Sequence, residues 1–233
     1  LITGSIGWLY MSDRFVELPL ALFGISIATV MLPKLSDYFN RSNVDAYNRT
    51  LNWGLKLGIL ISFPTMLGLI ILSDPILITL LKYKEFTLND VHMTSIALIA
   101  FSIGLPGMIG SKILITNYYS RKDTKYPVKA ALIAVLCNFV LNIAFVVYLV
   151  KTDFNGAHIG LAVATSLSAY VNFFFLFKNA VKTKIFNMDQ DIVFYILKSV
   201  IATIVMSAFL LYFDLSKQAW MDYELLERVM NLF

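Results

Sequence analysis

Four charged side chains carry most of the chemistry this sequence could do inside its apolar stretches. Arg14 lies in LYMSDRFVELPLALFGISIATVMLP, an apolar run from about Leu9 to Pro33, next to Asp13 and one helical turn before Glu17. Lys112 lies in GMIGSKILITNYYS. A cation inside such a run is costly to leave in lipid, so it faces water, a partner group or a transport pathway. A guanidinium stays charged at every accessible pH, and its planar fork makes paired, charge-assisted hydrogen bonds to phosphate. Two readings of the first group stand. In one, Arg14 pairs with Glu17 on its own helix and forms, with Asp13, a self-neutralised triplet near the membrane surface. Trp8 and Tyr10 fit that reading as an interfacial aromatic belt. In the other, Arg14 faces the interior of a helical bundle and meets an anionic headgroup. Glu17 then orients the guanidinium, which has five donors to share, and Asp13 faces a neighbouring helix or water about 100° around the axis. Lys112 either snorkels to the membrane surface or lines the same cavity. The candidate substrate-binding residues are therefore Arg14, Glu17, Asp13 and Lys112.

The elements that hold these groups must be membrane helices. Of the 233 residues 58% are hydrophobic and 15% charged, and the mean hydropathy is +0.73. Soluble domains carry about 25% charged residues. Six apolar runs separated by charge clusters predict six spans, at about 8–34, 48–73, 91–118, 126–150, 156–179 and 191–213. Pro33 is expected to end the first, Pro64 lies inside the second and Pro106 inside the third. Residues 214–233 are too charged to span and read as an interfacial or connecting helix. The expected fold class is all-α, a polytopic membrane protein.

Basic residues set the orientation. Lys34, Arg41, Arg49, Lys56, Arg121, Lys122, Lys125, Lys129, Lys178, Lys182 and Lys184 fall on one side, eleven against five (Lys82, Lys84, Lys151, Lys217, Arg228) on the other. Short basic loops stay in the cytoplasm, so the Arg121–Lys129 loop is expected there and both ends of the chain outside. The start at LITGS, without a methionine, suggests a piece of a longer protein.

The motifs of the main enzyme classes are missing: GxxxxGK[ST], GxGxxG after a strand, GxSxG and HExxH do not occur. Cys137 is the single cysteine, and His92 and His158 lie far apart at loop or helix-end positions. No cofactor, no metal site and no enzymatic activity are expected. Gly104, Gly107 and Gly110 around Pro106 suit close helix packing or, alternatively, a hinge. Asn138 and Asn142, four apart, suit interhelical hydrogen bonds.

The runs GSIGWLYMSDRFVELPLALFGISIATVMLPKLSDY, NWGLKLGILISFPTMLGLIIL, ALIAFSIGLPGMIGSKILITNYYSRKDTKYPVKAA and HIGLAVATSLSAYVNFFFL resemble the MurJ (MviN) family of lipid II flippases. The likeness is most specific at D-R-x-x-E-x-P and Y-S-R-x-D-x-x-x-P-V-K, covers most of residues 4–180, and thins after about Asn187. That family belongs to the multidrug/oligosaccharidyl-lipid/polysaccharide exporter superfamily. The resemblance implies fourteen helices, two six-helix bundles enclosing a central cavity followed by two extra helices, with this chain supplying helices eight to thirteen. Residues 1–186 would then be the C-terminal transporter bundle, and 187–233 an additional membrane helix with a charged C-terminal segment. The N-terminal half would be a partner within the same protein. Implied partners also include lipid II, membrane lipid, and Na+ or H+ as a coupling ion, with no nucleic acid. The implied activity is flipping of the lipid-linked peptidoglycan precursor across the bacterial inner membrane by alternating access, with Arg14 matching a cavity arginine of the family. Two rival functions remain. A drug or cation antiporter of the same superfamily would be dominated by membrane carboxylates, and a non-transport membrane scaffold would tolerate loss of Arg14.

Overall fold

A computed structural model describes residues 4–83, 85–152, 156–183 and 186–213 of the chain. All regular elements among them are helical. The first span is a single run from Ser5 to Asn40 of 36 residues. It consists of α1 (Ser5–Pro19), a π-helical segment (Leu20–Ile25) and α2 (Ser26–Asn40). At 1.5 Å per residue the run is about 54 Å long, well beyond a hydrocarbon core of about 30 Å, so its ends project from the bilayer. Pro33 does not end it. Pro33 is exposed and α2 continues to Asn40, a correction to the sequence-based boundary.

A tight turn leads to α3 (Val44–Ile71), whose Asn43 cap accepts the Ala46 N–H at 3.1 Å. The short helix α4 (Ser73–Leu81) follows. It falls beyond the second span drawn from the sequence, between that span and the third. The third span is two helices, α5 (Leu88–Ile103) and α6 (Leu105–Tyr119), bent by 42°. The last three are α7 (Lys125–Lys151), α8 (Ile159–Lys182) and α9 (Ile192–Phe213). Five helical runs are long and apolar enough to cross a membrane, and the bent pair makes six. The six expected spans are present, and only their ends move. The sequence reading of residues 214–233 lies outside the described residues.

Helix α6 is the axle of the bundle. Leu105, Ile109, Ile113 and Leu114 are fully buried. The π segment and α2 flank α6 on one side, α3 on another and α8 on a third. Close approach explains this. A Cβ on Gly58 of α3 would stand 2.5 Å from the Ile113 side chain, and one on Gly54 would overlap Met31 of α2. Lipid tails are as apolar as leucine, so such contacts hold membrane helices together through dispersion and shape rather than through escape from water. Large side chains on the outer faces of α7 and α9, such as Leu136, Phe139, Ile204 and Phe209, are exposed as a lipid-facing surface requires.

Polar ties fix the two ends of the bundle. At the basic end the Tyr47 hydroxyl lies 2.8 Å from the Asn117 side-chain oxygen and 2.9 Å from Ser120 Oγ. Tyr118 donates to the Leu176 carbonyl at 2.6 Å and stacks on Tyr126, so α3, α6, α7 and α8 meet there. At the opposite end Asp90 serves two helices. One carboxylate oxygen closes a capping box with Thr87 at the start of α5, and the other accepts the Trp8 indole N–H at 2.8 Å.

Candidate functional site

Helix α1 has two faces. Ser5, Trp8, Ser12 and Val16 are buried, and the Ser12 hydroxyl donates to the Thr94 carbonyl of α5 at 2.7 Å. The other face carries Tyr10, Arg14 and Glu17. The Arg14 side chain is 56% exposed and that of Glu17 50%. Arg14 therefore points away from the core that the described helices bury, and its pairing with Glu17, part of both sequence readings, is present. It lies on a face that no helix among the described residues covers.

The guanidinium is nonetheless held in place. Its Nη1 donates to Glu17 Oε2 at 2.5 Å, and its Cζ lies 4.7 Å from the centre of the Tyr10 ring. Stacking on tyrosine and one carboxylate contact leave the rest of the planar fork free for a second anion. Asp13 is half-buried at the edge between the two faces. The Glu17 contact expected from spacing is present.

Trp8 departs from the belt reading. It is 5% exposed, hydrogen-bonded to Asp90, with its ring 5.2 Å from that of His158. No local pattern betrays this contact, because Asp90 is 82 residues away in sequence. His158 does lie at a helix end, as the residue before α8, but buried, with Nε2 3.1 Å from the Met93 carbonyl. Burial holds the His158 imidazole below its ordinary value of 6.5, partly opposed by the Met93 contact.

Lys112 is also exposed, on a strip of α6 shared with Tyr119. It is not near Arg14. Met31, Gly54 and Ile113 converge, which puts Lys112 at about the depth of Met31. Seventeen residues separate Arg14 from Met31, roughly 25 Å along the helix. The structure thus brings Arg14, Glu17 and Asp13 together and leaves Lys112 apart, toward the basic end.

Two ties that sequence reasoning did not predict shape the basic end. Lys56 forms an ion pair with Asp189 at 2.5 Å, and Asn52 donates to the Asn187 carbonyl at 2.9 Å. Lys56, through its hydrogen bond, holds the Asp189 carboxyl below its ordinary range. The segment leading into α9 is thereby fastened to α3, and Ser199 of α9 donates to the Ile59 carbonyl at 3.2 Å. Asn138 reaches Thr165 and Ser168 of α8 at 3.4 and 3.5 Å and accepts from Asn142 at 2.9 Å, in line with the interhelical role.

These features define an all-helical protein with membrane-length apolar helices and an Arg14–Glu17 pair on an uncovered face of its first helix. A family model described as lipid II flippase MurJ matches residues 1–231, so the likeness extends past the point where it thins by eye. The probable lipid II flippase MurJ of Vibrio cholerae is 38% identical over the whole chain, and that of Haemophilus influenzae 36% identical over 96% of it. A solved lipid II flippase MurJ in an inward closed conformation superposes with a TM-score of 0.77 at 31% identity over the full chain. The chain belongs to the lipid II flippase MurJ family. It spans 43% and 44% of the length of those two relatives and 45% of the solved structure.

Proposed function

We propose that this chain is the C-terminal half of a lipid II flippase and that the Arg14 face of α1 lines its transport pathway. The observation that carries the reading is the exposed guanidinium. Arg14 sits within a membrane span, on a face that no helix among the described residues covers, and an arginine left against acyl chains is costly. A watery cavity shared with the other half of the protein removes that cost. The named relatives are described as lipid II flippases, the family resemblance implies a diphosphate on that cargo, and a guanidinium already oriented by Glu17 and Tyr10 suits it. Glu17 acts as the positioning residue. Lys112, too distant to share one headgroup with Arg14, meets the cargo at the basic end of the path. The five spans up to residue 179 form the transport bundle, and α9 is an added helix clamped on α3. The protein works in the bacterial inner membrane as a transporter and not as an enzyme, by alternating access of two bundles. Its driving force is a Na+ gradient, an H+ gradient or the membrane potential.

The test uses the full-length protein in cells depleted of their own flippase. Arg14→Ala abolishes rescue at normal abundance, Arg14→Lys restores part of it because the paired fork is lost, and Glu17→Gln weakens it moderately. Full rescue by Arg14→Ala at wild-type abundance would overturn the reading.

A further inference from the structure

A second anion site lies away from the Arg14 face. Where α2 and α3 meet near the basic end, a crevice of about 230 Å³ is lined by Lys34 and Tyr38 of α2 and Arg49 and Trp53 of α3, with Val30 and Met31 at its inner edge. The side chains of Lys34, Arg49 and Trp53 are donors only, Tyr38 and Thr50 add hydroxyls, and no carboxylate lines the crevice. Carboxylates stand at helical spacing from both cations, yet neither is used. Asp37 pairs with Arg41 at 2.9 Å, and Asp45 lines the neighbouring crevice with Lys56 and Asp189; Arg49 and Trp53 form the wall shared by the two crevices, and Arg49 has no ion pair to Asp45. Among the described residues, neither Lys34 nor Arg49 has an ion pair. This contrasts with Lys56 one turn beyond Trp53, which has found Asp189.

We propose that the crevice binds the phosphate of an anionic phospholipid from the leaflet on the basic side of the membrane. Its layout matches such a lipid from end to end. The donors cluster where α2 leaves the hydrocarbon, and Trp53, 51% exposed, sits as an interfacial anchor. Val30, one turn toward the bilayer centre from Lys34 and 53% exposed, offers an apolar track for the first acyl methylenes. A free phosphate ion would use the donors and leave that track empty. Basic pockets between membrane helices on this side are built for such headgroups. The bound lipid bridges α2 and α3 across the turn at Arg41–Asn43 and fixes the lower half of the broken first span. This site is separate from cargo transport and does not depend on the identity of the cargo.

The test measures lipids retained by the purified full-length protein by native mass spectrometry, after exchange into mixed micelles of phosphatidylglycerol and phosphatidylethanolamine. Wild type retains phosphatidylglycerol in preference to phosphatidylethanolamine. The double variant Lys34→Gln/Arg49→Gln loses this preference by about 30-fold, from roughly a fivefold contribution by each cation near the surface. Arg41→Gln, whose charge is already neutralised by Asp37, leaves it unchanged. Equal retention by wild type and the double variant would overturn the proposal. So would displacement of phosphatidylglycerol by millimolar inorganic phosphate, which would show a site for the free ion, or by undecaprenyl phosphate at equal concentration, which would assign the crevice to cargo. The melting temperature of the double variant in phosphatidylglycerol-free detergent stays at the wild-type value, so a lost preference is not a folding defect.

Discussion

Two of the six spans are broken in mid-membrane, and the breaks are built differently. In α5–α6 the chain bends by 42° at Gly104, where Pro106 withholds an N–H from the ladder. Helix α8 fills the gap. Ser166 donates to the Ala100 carbonyl at 2.6 Å and lies 3.2 Å from that of Phe101, and Tyr170 donates to the Ile103 carbonyl at 2.7 Å. In the first span, Pro19 opens the π segment. Here the side chains that reach nearby carbonyls come from the same helix: Ser26 to Ala21 at 3.3 Å and Thr29 to Ile25 at 2.8 Å. Only Gly24 of the segment is buried. Both breaks combine proline and glycine, so the residue types do not distinguish them. The neighbours do. The Gly104 kink is tied from outside by a second helix, which favours packing over a hinge there. The π segment packs on α6 through Gly24 but receives no side-chain hydrogen bond from another helix among those described, and it joins the half-span carrying Arg14 to the half-span carrying Lys34.

The largest effect should come from glycine at the locked break. A Cβ on Gly104 would stand 2.7 Å from the Ser166 Cα, a backbone atom that cannot rotate away. At Gly24 the nearest atom is the tip of Leu20, 3.1 Å away and free to move. Gly104→Ala is expected to cost about 2–3 kcal/mol and Gly24→Ala under about 1 kcal/mol, read as thermal stability of the full-length protein in detergent. Equal losses at the two glycines would erase the distinction between the breaks.

The second effect concerns the hydroxyl that crosses to the locked kink. Ser166→Ala leaves the Ala100 carbonyl without its partner in a buried place, at a cost of about 1 kcal/mol. Ser26→Ala removes a long, exposed contact within its own helix and should change stability by less than about 0.5 kcal/mol. Hydrogen exchange along the backbone sharpens the contrast: residues 20–25 exchange faster than residues 100–105 in the wild type, and Ser166→Ala narrows the gap.

The sequence made the six spans legible because each is an apolar run bounded by charges, a signal that needs no knowledge of neighbours. It also exposed Arg14 and its Glu17 contact, since a pair three residues apart depends only on helical geometry. It did not reveal which way Arg14 points, because that depends on what α5 buries. A hint was present. Ser5, Trp8, Ser12 and Val16 recur at three- and four-residue steps on the opposite face, and small polar residues favour helix contacts. Aromatic residues near a span end usually form an interfacial belt, whereas the partner of Trp8, Asp90, lies on another helix. Pro33 misled for the same kind of reason. A proline lowers helix propensity locally, while the packing of Met31 and Leu35, both fully buried on either side of it, holds α2 together.

The smallest effect separates the outer end of the first span, tied to another helix by a side-chain hydrogen bond, from the π segment, which has no such tie. Trp8 is pinned between Asp90 and His158, and the histidine is buried against the Met93 carbonyl. Burial depresses the folded-state value of His158, so the folded protein resists the proton more than the unfolded chain does. Above the ordinary value of 6.5 both states are neutral and stability does not change with pH. As pH falls below 6.5 the unfolded chain takes up the proton first, and stability declines until the folded-state value is passed, then levels off. Asp189, held down by Lys56, begins to cost stability only as pH falls below its ordinary 3.8, outside this window. Melting temperatures between pH 7.5 and 5 should therefore drift downward in the wild type. In His158→Asn, which keeps an N–H donor but cannot take up a proton there, they should stay flat. If both proteins drift alike, the outer anchor does not depend on a neutral histidine, and the ends of α1 are less different than their contacts imply.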